Sequence, residues 1–196
     1  MSALPKLTEE PTMTVAEFYA WAETVEGRWE LVDGEPVAMA PANTTHGAIQ
    51  NELGRLIGNA LLEKGAPCAV ITEPGVIPHI RANANVRIPD LVEICGEFRT
   101  ELRALTEPVV PIEILSPGNR QRTWSNAWTY TTIPSVREIA VFRTASIGVE
   151  LLRRLGDDTW PEQAELVESG DFSLESVGVR FPLAAAYRTT RLGDKA

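Results

Sequence analysis

Pro89-Asp90-Leu91-Val92-Glu93-Ile94-Cys95 and Pro111-Ile112-Glu113-Ile114-Leu115 are the two stretches that decide the fold of this chain. Both have strand length and are largely apolar, as strands buried in a sheet are. Asp90 opens the first stretch, and Glu113 sits inside the second. A carboxylate in such a place loses its hydration and must be paired, protonated or bound to a cation. Two of them on neighbouring strands repel each other unless a cation lies between, and hard oxygen ligands of this kind suit Mg²⁺ or Mn²⁺. The residues alone leave a second reading open, in which each acid pairs with an arginine such as Arg87 or lies at a wet strand end.

Upstream, Thr14 followed by Glu17 makes a capping-box start, and Val15, Phe18, Ala22 and Val25 then share a helical face that ends near Gly27. Trp29-Glu30-Leu31-Val32, Asp33-Gly34 and Glu35-Pro36-Val37-Ala38-Met39 predict a hairpin, with Pro36 placing the second strand at an edge. Thr44 or Thr45 caps a longer helix through Ile49, Leu53, Leu56, Ile57, Ala60 and Leu61, which Gly65-Ala66-Pro67 stops. Cys68-Ala69-Val70-Ile71 reads as a strand and Pro74-Gly75 as a turn. After Glu113, Ser116-Pro117-Gly118 leads into a helix around residues 120–132, and strands follow at Glu138–Phe142 and Ile147–Leu152. The tail from Trp160 is expected to close the sheet, with Phe172, Leu174 and Val179 in the core. This order predicts an α/β chain of mixed α+β type, a central mixed sheet flanked by helices.

At 196 residues the chain has room for one domain over 1–196, with 1–12 as a flexible N-terminal arm and 190–196 as a flexible tail. No apolar run is long enough to span a bilayer, and the N-terminus lacks a secretory pattern, so no membrane partner and a cytoplasmic location are expected. Cys68 and Cys95 each lie in an apolar run, as small buried hydrophobes do. The net charge of −9 argues against tight nonspecific binding to nucleic acid. That charge is uneven. Residues 1–35 carry eight carboxylates against Lys6 and Arg28, whereas residues 99–154 carry eight arginines against five glutamates, so one region can face phosphate.

Five segments then resemble a known family, in its order. They are Arg28-Trp29-Glu30-Leu31-Val32-Asp33-Gly34-Glu35; His46; Pro89-Asp90; Ile112-Glu113-Ile114-Leu115-Ser116-Pro117; and Tyr130 with Ile133-Pro134-Ser135-Val136-Arg137-Glu138. Together they resemble the Uma-type family of restriction endonucleases, a branch of the PD-(D/E)XK nuclease superfamily, over roughly residues 14–152. The resemblance implies a restriction-endonuclease-like core in which Asp90 and Glu113 bind the metal, helped by a backbone carbonyl such as that of Ile114. It makes Glu30 a third acid, against the alternative of an exposed hairpin residue. It also implies a nucleic-acid substrate, DNA first, held weakly or transiently, and a homodimer.

The chain departs from the superfamily pattern two residues after Glu113, where Leu115 stands in place of a lysine. Four residues before Tyr130, where many family members carry a lysine, it has Asn126. The only lysines are Lys6, Lys64 and Lys195. Asn126 donates hydrogen bonds without charge, and Arg120 or Arg122 is the replacement candidate for gripping phosphate. His46 opens a helix and is the candidate for proton transfer or phosphate contact, against a hydrogen-bonded histidine at a helix start. Glu73 is a weaker candidate ligand, and His79 is expected to be merely exposed. Trp124 and Trp128 read as the buried stripe of a helix rather than a base-stacking pair. Three functions follow: a metal-dependent endonuclease, a catalytically impaired binding or assembly module on the same fold, and a hydrolase of another phosphate ester.

Overall fold

The computed structural model describes residues 13–96, 101–116 and 118–193. Its first half runs α1 (Val15–Ala22), β1 (Trp29–Val32), β2 (Glu35–Ala38), α2 (Thr44–Lys64), β3 (Cys68–Thr72), β4 (Gly75–Val76), β5 (Leu91–Cys95) and β6 (Ala104–Leu105). It continues with β7 (Val110–Ile114), α3 (Arg120–Tyr130), β8 (Glu138–Phe142), β9 (Val149–Arg153), β10 (Glu165–Val167), β11 (Asp171–Leu174), β12 (Val179–Pro182) and a 3-10 turn at Leu183–Tyr187. The expected arm over 1–12 lies outside the described residues, as does the end of the expected tail.

Six strands form one mixed sheet in the order β10-β9-β8-β7-β5-β3. Only β7 and β8 run parallel within it; the other neighbours are antiparallel. β7 lies inside the sheet and is buried along its whole length, which accounts for its nearly continuous apolar sequence. Alternation along the strands feeds two cores. One face carries Leu91, Ile112, Ile114 and Phe142 against Ile49, Leu53 and Ile57 of α2 and against the β11–β12 hairpin. The other carries Val92, Ile139 and Val141 against Ala127 and Tyr130 of α3. The expected mixed sheet with helices on both faces is therefore what the chain forms. No described helix is long and apolar enough to cross a membrane.

Antiparallel pairing of β5 with β7 sets Leu91 opposite Ile112. The start of β5 and the end of β7 thus share one end of the sheet, and Asp90 and Glu113 come with them. The Asp33-Gly34 hairpin forms as expected, with Asp33 at φ 52° and Gly34 at φ 90°. The α1 capping box is present, and α2 ends on Gly65 in the left-handed region.

Four details correct the sequence expectations. The α2 cap is Asn43, whose side chain accepts from the His46 amide; Thr44 and Thr45 are already helical. Of the tail, only β10 joins the sheet, while β11 and β12 pair with each other and bring Phe172, Leu174 and Val179 into the core. In the tryptophan pair, Trp124 packs on the α3-side core but Trp128 is 40% exposed. The cysteines are not separate buried hydrophobes: register places Cys68 opposite Cys95, and the two form a disulfide across the sheet end. This link ties the outermost strand β3 to β5. Replacing both cysteines by alanine is expected to lower stability by about 2–4 kcal/mol, mostly by releasing the loop between them in the unfolded chain, as urea unfolding would report.

Candidate active site

Asp90, Glu113 and Glu30 reach one cavity of about 300 Å³, together with His46, Arg122 and Asn126. Glu113 lies on β7 and Asp90 just before β5, α2 supplies His46, α3 supplies Arg122 and Asn126, and the hairpin supplies Glu30. Two of these acids are nearly sealed from solvent, Glu30 at 1% and Glu113 at 6% exposure.

Each carboxylate has fixed partners. Asp90 Oδ2 accepts the Ile114 amide at 2.6 Å, and its Oδ1 lies 2.8 Å from His46 Nε2. A carboxylate only accepts, so Nε2 carries the proton and, in the neutral ring, Nδ1 accepts from the Ser116 hydroxyl at 3.0 Å. Glu113 Oε1 accepts from the Tyr130 hydroxyl at 2.8 Å. Glu30 Oε1 accepts from the Ile88 amide and from Asn126 Nδ2 at 2.9 Å, while its Oε2 takes Arg122 at 2.7 Å. Among the described residues, arginine therefore pairs with Glu30 and with neither Asp90 nor Glu113. Arg87 is buried, with its guanidinium on the Leu31 carbonyl.

The electrostatics reflect this crowding. Glu113 is held well above the usual carboxylate range, first by burial and then by the negative charges of Asp90 and Glu30. The Tyr130 hydroxyl and the Arg122 charge oppose that shift only in part. At the rim, Glu73 pairs with Arg28 at 2.8 Å and accepts from Gln50, which also donates to the Asp90 carbonyl.

The remaining candidates sort clearly. Glu30 is a buried acid facing the cavity rather than an exposed hairpin residue. His46 is 6% exposed with both ring nitrogens engaged, which suits orienting Asp90 better than meeting phosphate directly. Asn126 lines the cavity and spends its donor on Glu30. Arg120 is drawn away into a bidentate pair with Glu150 at 2.8 and 2.7 Å. His79 is exposed, outside the cavity. Sequence reading gave no role to Ser116 or to Tyr130, although both lie inside the segments carrying the resemblance. A hydroxyl directly after a strand bearing a buried acid is the signal that would have found Ser116.

The sequence profile of a family described as "Uma2, Putative restriction endonuclease" matches residues 15–185. The chain belongs to the Uma2 family. No curated protein matches it in sequence. Among solved structures, this Uma2 chain is similar to one described as a putative nuclease belonging to DUF820 from Anabaena variabilis. The TM-score is 0.70 at 16% identity, covering 89% of this chain and 97% of the other. At that identity the likeness is one of fold.

The donor set of the Uma2 chain fits a hard divalent cation at two points. Asp90 and Glu113 line one cavity as oxygen donors. Their mutual repulsion, visible in the raised Glu113, is what a cation would relieve. No cluster of three or more His, Cys, Asp or Glu side chains among the described residues is placed to hold a metal.

Proposed function

We propose that this Uma2 chain is a metal-dependent endonuclease that hydrolyses phosphodiester bonds, with DNA as its substrate. The observation that carries the reading is the convergence of Asp90 and Glu113 on one cavity, where burial first and the Asp90 charge second disfavour ionisation of Glu113. Asp90, Glu113 and the Ile114 carbonyl would hold Mg²⁺ or Mn²⁺, which when bound polarises a phosphoryl oxygen and acidifies a water. The Ile114 amide and His46 fix the rotamer of Asp90, and Ser116 fixes the ring of His46. Tyr130 holds Glu113 from behind, with its hydroxyl on Oε1. Glu30 adds a third negative charge at the cavity wall, partly offset by Arg122. We also infer a homodimer, as the resemblance implies, since a second site would let the assembly cut both strands of a duplex.

Calorimetry with Mn²⁺ tests the site. The wild type should release binding heat that Asp90→Ala and Glu113→Ala both lose; equal heat in all three proteins overturns the assignment. A second reading, a nuclease-fold binding or assembly module without catalysis, is favoured by the neutral Asn126 and the net charge of −9. Plasmid nicking separates the two, since the module binds the ion and leaves the plasmid intact.

A further inference from the structure

The cavity holds more negative than positive charge. Glu30, Glu73, Asp90 and Glu113 line it, against the guanidiniums of Arg28 and Arg122. A phosphodiester anion entering this space needs a cation that is already in position, because a floppy one must be ordered at the moment of binding. The two arginines differ in that respect. Arg28 precedes β1, keeps 45% of its side chain exposed and is tied to Glu73 at the rim. Arg122 rises from the first turn of α3 with 31% exposure and is anchored twice, to the Ala38 carbonyl at 2.9 Å and to Glu30 Oε2 at 2.7 Å.

A guanidinium has five N–H groups in a fixed fork, so these two bonds orient Arg122 without exhausting it. Asn119, just before α3, and Thr123, in its first turn, line the same cavity. One turn later Asn126 donates to the other oxygen of Glu30. Arg122 and Asn126 thus stand four residues apart on one helix face and grip the same carboxylate, one charged and one neutral.

The geometry points to Arg122 as the substrate-binding residue that grips the phosphate next to the scissile bond, with Glu30 acting as its positioning partner. The inference rests on the nuclease reading given above and assigns the phosphate contact within it. Arg120, on the neighbouring turn position, serves as the internal contrast: its guanidinium is committed to Glu150, which lies against Arg143 as well.

The test is binding of a short fluorescein-labelled DNA duplex, followed by anisotropy with Ca²⁺ present, over a series of salt concentrations. Losing one phosphate contact lowers the slope of log K against log salt by about 1. Arg122→Gln should show that drop, and Arg122→Lys, which keeps the charge, should retain most of the slope. Arg120→Gln should leave it unchanged. Adding Asn126→Lys to Arg122→Gln should restore the slope by returning a cation to the same face one turn away. An unchanged slope in Arg122→Gln, with wild-type binding intact, overturns the role of Arg122 and leaves the nuclease reading standing. A wild type that binds no duplex overturns both. If Arg122→Gln loses the fold by circular dichroism, the double variant Arg122→Gln with Glu30→Gln, which leaves no buried carboxylate without its cation, decides: a slope lower by about 1 supports the contact, and a wild-type slope overturns it.

Discussion

Asp90→Asn should reduce plasmid nicking by about a thousandfold or more while leaving the fold in place. Removing the charge forfeits several kcal/mol of cation-mediated stabilisation of the developing phosphoryl charge, and each 1.36 kcal/mol is tenfold in rate. The substitution is close to isosteric, so its local cost can be followed atom by atom. An asparagine can still accept the Ile114 amide through its oxygen. Its amide nitrogen then faces His46 Nε2, which must become an acceptor, and Nδ1 must turn from accepting to donating toward Ser116. The relay reverses without breaking, and thermal melting should shift only slightly. Nicking that persists at the wild-type rate in Asp90→Asn would remove this residue from the chemistry.

Glu93→Gln should stabilise the protein at alkaline pH by about 4 kcal/mol relative to its effect at acidic pH. Glu93 is completely buried on β5, neither of its carboxyl oxygens has a hydrogen-bond partner among the described residues, and burial, with a contribution from Glu138, raises it to about 8. The folded value lies above the unfolded one, so the native state holds a proton that the unfolded chain gives up. Stability is therefore full below about pH 4.5 and is lost progressively as pH rises toward about 8. A shift of this size corresponds to roughly 4–5 kcal/mol over that window. Glutamine cannot ionise, so the gap in unfolding free energy between variant and wild type should widen from pH 5 to pH 8. Urea titrations of both proteins at several pH values measure it, and a constant gap would show that Glu93 is ionised or hydrated in the native state.

Glu93 also marks a limit of reading this sequence. It sits in the same apolar stretch as Asp90, and the reasoning that singled out Glu113 applies to it equally. Its strand was legible, but its side chain faces the core shared with α2, at the end of the sheet away from the cavity. Facing depends on register, which single strands do not reveal. Asp90 and Glu113 were singled out from Glu93 by the resemblance rather than by their apolar strands alone, and pairing of β5 with β7 brings both to one sheet end. The partners of Glu30 were not legible, because Arg122 and Asn126 lie more than ninety residues away in sequence. The α2 cap was obscured by Asn43-Thr44-Thr45, three good capping residues in a row. The disulfide needed the β3–β5 register, which a strand-by-strand reading does not supply.

The hairpin that carries Glu30 belongs to its own small cluster of Phe18, Leu31 and Val86, apart from the two cores that clasp the central sheet. Its backbone joins the chain around Val86 through the isolated bridge from Leu31. Cooperative opening of that modest unit would draw Glu30 away from Arg122 and Asn126, while the Asp90–His46–Ser116 and Glu113–Tyr130 contacts, which involve no hairpin residue, need not break. Hydrogen exchange should therefore report opening of the Leu31 and Val86 amides before opening of the amides of β5 and β7.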